Sequence, residues 1–354
     1  MAYTTIDDPS AYFQTKIYTG NATDDTAYTN DGNSDLQADL LWAKNRDVTV
    51  DHVWFDSTRG VTKNVRSNNA NTESTNSNYL KSFNSDGFTM GTSNRVNGNT
   101  NDMVAWQWKA NGGTETHSQS ESGSNIACSV QANTTAGFSI ITYTGTGTAG
   151  HTFLHGLGSA PHVIIIKCRS VGHHWRVYHH KNTSAPQTDA LSLNQTDATS
   201  DQDYWWDDTA PNSTEIALGN GDSGLNDDGA THVAYCWKEV QGYSKFGSYT
   251  GNDNADGPFI YTGFKPAWVM IKKTDATGNW IIKDNKIDTD NPATQVLYPN
   301  LSNAENDAQT LDLLSNGFKH RSAEGDGNDA NSYIYMAFAE QPFVSSEGVP
   351  CTAR

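Results

Sequence analysis

Seven histidines fall between positions 151 and 180: His151, His155, His162, His173, His174, His179 and His180. Imidazole is the commonest metal ligand in proteins, so this crowd first raises metal binding. The spacing argues the other way. There is no HExxH and no His–Cys ligand spacing, and an ion needs three or four converging donors. We expect these histidines to be exposed or at interfaces, with no metal ligand among them. Acidic turns raise calcium instead: Asp253-Asn254-Ala255-Asp256-Gly257, Asn226-Asp227-Asp228-Gly229 and Asp326-Gly327-Asn328-Asp329. None completes the twelve-residue calcium loop with its distal Glu, and the same residues are the ordinary chemistry of tight turns. Loose association of Ca from salty water is the expectation, and no cofactor.

Enzyme chemistry lacks its parts. There is no GxSxG elbow, no phosphate loop, no dinucleotide-binding glycine pattern and no zinc-protease helix, so we expect no catalysis. The residues best suited to contact a ligand are Tyr204-Trp205-Trp206-Asp207-Asp208. Adjacent indoles in a polar loop, with carboxylates beside them, would suit stacking on sugar rings or docking on a partner protein. Period-two alternation offers the competing reading, one Trp inward and one outward. Trp54 and Trp280 sit in strand patterns and are expected in the core.

The elements that must carry these residues repeat. Ile17-Tyr18-Thr19-Gly20-Asn21, Thr142-Tyr143-Thr144-Gly145-Thr146 and Ser248-Tyr249-Thr250-Gly251-Asn252 open three copies of one pattern. Apolar strands follow at Leu40–Lys44, Val163–Lys167 and Trp268–Lys272, then second strands at His52–Asp56, Trp175–His179 and Trp280–Asp284. Each copy closes on an alternating strand: Met103–Trp108, His232–Trp237 and Tyr333–Phe338. The span from tyrosine to closing aromatic is roughly 90 residues each time, the mark of a repeated structural unit. In the closing strands Val104, Trp106 and Trp108 alternate with Ala105 and Gln107, which puts the bulky set on one face of a pleated strand. Between strands lie turn clusters such as Asn97-Gly98-Asn99, Asn220-Gly221-Asp222 and Asp326-Gly327-Asn328. Only Asn303–Leu314 is expected as a helix.

The fold class expected is therefore all-β, with three tandem antiparallel β-sandwich units, jelly-roll or lectin-like, of roughly 90–110 residues. The expected boundaries are a first unit over 1–112, a Gly/Ser/Thr-rich linker over 113–135, a second unit over 136–240, a third over 241–344 and a tail over 345–354. The shorter joint, Glu239–Gly242, should couple the second and third units more tightly than the first and second.

Composition bounds the rest. The chain has 354 residues with 23 Lys and Arg against 40 Asp and Glu, a net charge of −17. Such acidity repels phosphate backbones, so nucleic acid is not an expected partner. Ten Trp, 15 Tyr and 12 Phe are too many for a disordered chain. The start, Met1–Asp8, has neither a basic nor an apolar stretch, and the longest apolar run, Val163–Ile166, is far short of a membrane span. We expect neither secretion nor membrane insertion. Cys128, Cys168, Cys236 and Cys351 lack CxxC spacing and are expected to be reduced thiols.

Several stretches together resemble structural proteins encoded by marine bacteriophages. They are Ile6–Thr15, Lys44-Asn45-Arg46-Asp47, Phe55-Asp56-Ser57-Thr58-Arg59-Gly60, Ser85-Asp86-Gly87-Phe88, Val104–Trp108, Gly137-Phe138-Ser139-Ile140, His155–Pro161 and Pro350–Arg354. The first unit lacks the Gly-x-x-Pro approach of the other two, and the third replaces FDS-x-RG with Lys283-Asp284-Asn285-Lys286-Ile287. Three equivalent ligand sites are therefore not expected. The resemblance implies a concanavalin-like or related sandwich exposed on a virion, as a tail fibre, a tail-attached part or a capsid decoration protein. It implies a homotrimer or other homo-oligomer, contacts with other virion proteins, recognition of host surface polysaccharide, and synthesis in the host cytoplasm. The alternative is a dedicated carbohydrate-binding adhesin, bacterial or viral, without a scaffold role.

Overall fold

The computed structural model describes residues 3–110, 115–118, 124–220 and 224–352. Part of the expected linker, Gly221 and Asp222 of one expected turn, and Ala353-Arg354 lie outside the described residues. The protein is all-β and built of antiparallel sheets. Helix is confined to short pieces such as Asn94–Asn97, capped by the Ser93 side chain.

One strand order recurs in three inner sheets. The first runs Phe13–Thr19, Asp102–Trp108, Leu40–Asn45, Val53–Asp56. The second runs Phe138–Thr144, Thr231–Trp237, Val163–Cys168, Arg176–His179, and the third Ser244–Thr250, Ser332–Pro342, Phe264–Lys273, Trp280–Asp284. In each, the opening strand pairs with the closing one, which pairs with the apolar strand. The second sheet is longer. Glu115–His117 and Cys128–Asn133 extend one edge, and Asp189–Ser192 and Ser200–Asp201 extend the other, giving eight strands. The expected linker over 113–135 is corrected accordingly: Cys128–Asn133 is a strand, paired with Phe138–Thr144 along its whole length.

A smaller outer sheet backs each inner one: Thr26–Tyr28, Phe88–Met90 and Leu80–Phe83; His151–Leu154 and Glu215–Leu218; Phe259–Tyr261, Gly317–His320, Asn306–Leu314 and Ala293–Val296. The helix expected over Asn303–Leu314 is thus an outer strand, Asn306–Leu314. Gln309 explains the misreading. Its positive φ of 54° marks an irregular stretch where pairing with Ala293–Val296 shifts register. The two halves of the strand fall out of phase and mimic a helical period.

The closing strands are buried on both faces. Val104, Trp106 and Trp108 join Val233, Tyr235 and Trp237 and Ile334, Met336 and Phe338 in one central cluster drawn from all three inner sheets. Their alternate residues face the other way, each set into its own outer sheet: Met103 and Ala105, Ala234 and Cys236, Tyr333 and Tyr335. So the bulky set covers a common core, and the smaller set covers a local one. A gap among the central side chains, beside Val177, Met270 and Met336, is about 10 Å³, barely one water.

The recurrent Tyr-Thr-Gly opening is a clasp. The hydroxyls of Tyr18, Tyr143 and Tyr249 each donate to the carbonyl before a buried asparagine, at Val96, Leu225 and Gly327, all at 2.6 Å. Those asparagines, Asn97, Asn226 and Asn328, each accept the amide following the glycine, from Asn21, Thr146 and Asn252. The glycine is required by space. A Cβ at Gly20, Gly145 or Gly251 would lie 2.2, 2.3 or 2.0 Å from the backbone carbonyl of Gly98, Asp227 or Asp329.

Equivalent residues also join the three sheets in rotation. Buried Lys44 donates to Ser302 O at 3.3 Å, Lys167 to Ala70 O at 3.1 Å and Lys272 to Thr196 O at 3.1 Å. Beside them the amides of Glu305, Glu73 and Thr199 donate to the carbonyls of Arg46, Arg169 and Thr274. In the opposite sense, Asp56 accepts the Tyr235 hydroxyl at 2.7 Å, His179 Nε2 meets Tyr335 O at 3.1 Å, and Asp284 accepts from Thr15 and Trp106. Each segment thus reaches one neighbour with its lysine and the other with the end of its second strand. The first segment, like the other two, is hydrogen-bonded to both neighbours.

Candidate functional site

The aromatic loop is not the surface that the sequence suggested. Trp205 is 3 % exposed and Trp206 is fully buried, both in the core between the second inner and outer sheets. Trp206 Nε1 donates to Asp189 O at 2.8 Å, and its ring meets Tyr178 edge-on at 5.6 Å. Trp205 carries the Arg176 guanidinium 4.1 Å above its ring and Tyr204 at 4.6 Å. This is a correction to both readings of the pair. Residues 203–208 form a turn rather than a strand, so alternation does not apply and two successive indoles point inward. Tyr204 and Asp207 are half-buried and Asp208 is exposed. The exposed aromatics lie elsewhere: Phe259 and Tyr261, 46 % and 53 % exposed, share one face of an outer strand.

Most of the histidines are structural acceptors. His155 meets Asn212 O through Nε2 at 3.1 Å, and its Nδ1 accepts the Leu157 amide at 3.2 Å. His179 does the same with Tyr335 O and the Lys181 amide, both at 3.1 Å. That pairing fixes a neutral ring with its proton on Nε2. Burial pushes His155 down to about 4 and His179 to about 3. His180 meets Phe246 O, and His162 Nδ1 accepts the Glu239 amide. His155 and His179 are buried, and the rest of the group is half-buried.

The acidic turns are largely spoken for. Asp326 accepts the Asn279 amide at 2.7 Å, Asp256 pairs with Lys319 at 2.8 Å, and Asp329 pairs with Lys273 at 2.6 Å. Asn226 and Asn328 belong to the clasps. Asp227 differs. Neither of its carboxylate oxygens makes a hydrogen bond. It shares a pocket with Cys168 and His232, and one donor atom from each lies within 4.8 Å of the others.

The fold sets this trio rigidly. Cys168 and His232 are direct register partners on adjacent antiparallel strands, so their side chains share a face. Asp227 follows the clasp residue Asn226. The His232 ring is fully buried and stacks on Tyr143 at 4.9 Å and 9°. Neither of its nitrogens makes a hydrogen bond. Its Nε2 lies 3.6 Å from Asp227 Oδ2, and His173 Nε2 approaches the same oxygen at 3.4 Å. Burial disfavours the charged imidazole, but Asp227 and Cys168 outweigh it and hold His232 above its usual range. Burial likewise pushes the Cys168 thiol up, and His232 more than reverses this.

The sequence reading missed this site. Cys168 and His232 stand 64 positions apart, and only the strand pairing brings them together. A thiol, an imidazole and a carboxylate can hold a soft or borderline metal ion, or form a nucleophile–base–orienter set. The second needs a substrate to reach the sulfur, and Cys168 is fully buried. Elsewhere, a cleft of about 210 Å³ lies between the first and third segments, with Asp31, Lys286 and Glu340 at its wall. No helix among the described residues is long and apolar enough to cross a membrane.

The chain belongs to the family described as "Domain of unknown function (DUF7483)", whose pattern it matches over residues 8–342. No curated protein and no solved structure matches it.

Proposed function

We propose that this member of the DUF7483 family is a non-catalytic structural protein of a bacteriophage particle. It stands on the particle surface as a tail fibre, a tail-attached part or a capsid decoration protein, made in the host cytoplasm. One observation carries the reading. The residues repeated in all three segments serve architecture: the tyrosine clasps close each segment on itself, and the buried lysines and central aromatics join the three. The net charge of −17 suits a part that faces water and must not self-precipitate. The phage-like stretches named above support the same assignment.

Contacts with other virion proteins, with further copies in a homo-oligomer, or with host surface polysaccharide need exposed, stiff side chains. Phe259 and Tyr261 supply them, and they favour a second reading, a carbohydrate-binding adhesin without a scaffold role. Mass spectrometry of purified particles of the encoding phage tests the assignment. The expected result is this chain in fixed proportion to the major particle proteins. Its absence from particles overturns the virion role, and particle-free chain bound to host cells would establish the adhesin.

A further inference from the structure

We propose that Cys168, Asp227 and His232 form a structural zinc-class metal site in the second segment, which His173, now in contact with Asp227 but outside that close trio, completes by moving in as the fourth ligand.

The donor set is the first argument. One sulfur, two imidazoles and a carboxylate match the ligands that tetrahedral Zn²⁺ takes, and the sulfur argues against Ca²⁺ or Mg²⁺. Spacing is the second. Donors about 2.0–2.3 Å from a tetrahedral ion stand about 3.3–3.6 Å from one another. The two imidazole–carboxylate separations are 3.4 and 3.6 Å, longer than hydrogen bonds and right for joint ligation. Third, the polar atoms are orphaned. The fully buried His232 ring has no hydrogen bond at either nitrogen, and Asp227 has none at either oxygen. Buried polar groups without hydrogen bonds are costly, and the imidazole contacts at 3.4 and 3.6 Å are too long to supply them, whereas an ion bound to carboxylate and ring together would satisfy both.

The repeat supplies the fourth argument, because it shows the same place in the other two segments. Strand register equates Cys168 and His232 with Lys273 and Tyr333, and with Asn45 and Met103. The clasp glycines equate Asp227 with Asp329 and Gly98, whose carbonyls they face. In the third segment Lys273 puts its ammonium 2.6 Å from the Asp329 carboxylate, with the Tyr333 ring at 6.0 Å. The chain provides its own cation there. In the first, Gly98 removes the carboxylate, and Asn45 satisfies itself on Asn94 O and Asn101. The second segment keeps the carboxylate but replaces the lysine with a thiol facing an imidazole. A metal ion completes the pattern. His173, 28 % exposed in its side chain, marks the side from which it enters.

Such an ion would pin the turn around Asp227 and the loop carrying His173 to the sheet bearing Cys168 and His232. It would stabilise the folded chain by the free energy of its binding. The test uses the full-length protein, stripped with a chelator and titrated with Zn²⁺ or Co²⁺. About one ion per chain is expected, with a thiolate-to-cobalt charge-transfer band and a raised unfolding temperature. Cys168→Ser should abolish the band. Asp227→Asn, His232→Gln and His173→Ala should each weaken binding at least about tenfold. His173→Ala alters a half-exposed loop and keeps the test valid if a core variant fails to fold. A folded parent protein that takes up neither ion overturns the site, as does an unchanged cobalt band in Cys168→Ser. Unchanged affinity in His173→Ala overturns the four-residue ligand set.

Discussion

Individual side chains in this protein are mostly committed to neutral, hydrogen-bonded roles, and that commitment has a pH consequence. His179 receives a proton from the Lys181 amide on Nδ1 and meets Tyr335 O through Nε2. A second ring proton would face an N–H donor, and burial holds the group down to about 3. Below pH 6.5 the unfolded chain binds a proton that the folded chain does not. Stability from this residue is therefore complete above pH 6.5 and declines as the pH falls toward 3. The loss is about 2 kcal/mol between pH 6.5 and 5. Urea unfolding of the parent and of His179→Gln at pH 7 and pH 5 checks this. The variant keeps a donor for Tyr335 O and should lose less stability on acidification. Equal losses would refute the account. The sequence displayed the histidine crowd but not its meaning, because whether an imidazole binds an ion or accepts an amide depends on which backbone lies opposite. The same blindness applied to Trp205 and Trp206, whose burial is decided by a turn and not by a period.

Strands and their pairings were far more legible. The alternation in Met103–Trp108, His232–Trp237 and Tyr333–Phe338 placed the closing strands, and the Tyr-Thr-Gly signature placed the opening ones. What it could not show was that both faces of these strands are buried, since the smaller set reads as a solvent face until an outer sheet covers it. Nor could one dimension reveal the cross-sheet ties at the ends of the second strands. One of these is Asp56, which accepts the Tyr235 hydroxyl at 2.7 Å and the Arg59 backbone amide at 2.8 Å. Its carboxylate also pairs with the Arg59 guanidinium at 2.5 Å, both side chains fully enclosed. Glu73 gives the arginine a second carboxylate at 3.1 Å while also holding Arg169. Asp56→Ala leaves the buried Arg59 with Glu73 as its remaining carboxylate and takes the acceptor from the Tyr235 hydroxyl. It should cost about 3–5 kcal/mol in urea unfolding. Replacing Arg59 by Met in the same chain should recover part of that loss, because the half-compensated buried guanidinium is gone and Glu73 keeps Arg169. A loss below about 1 kcal/mol for Asp56→Ala would place the pair among ordinary surface ion pairs.

At the scale of the molecule, the question is whether three repeated segments are three folding units. The central cluster answers through its size. Trp42, Trp54, Trp106 and Trp108 of the first segment are each no more than 2 % exposed, and they lie against Trp175, Trp237, Trp268 and Phe338 of the other two. Separated from its neighbours, the first segment would turn these four indoles to water. At about 150–250 Å² each, that is on the order of 600–1,000 Å² of apolar surface. At about 25 cal/mol per Å² the penalty is roughly 15–25 kcal/mol as an upper bound, and a domain of this size has only about 5–15 kcal/mol in hand. The segments can be delimited in the sequence but cannot stand as beads. Residues 1–112 alone should therefore lack the near-ultraviolet dichroism of fixed tryptophans and should aggregate. The full chain should unfold in one transition, with tryptophan fluorescence and far-ultraviolet dichroism changing together. Two resolved transitions, or a monomeric 1–112 fragment with native tryptophan spectra, would mean that the shared core is only an interface between independent sandwiches. The proposed role on a particle surface fits the first arrangement. A force applied at any one segment is then resisted by the central aromatics of all three, and none of them can peel away by itself.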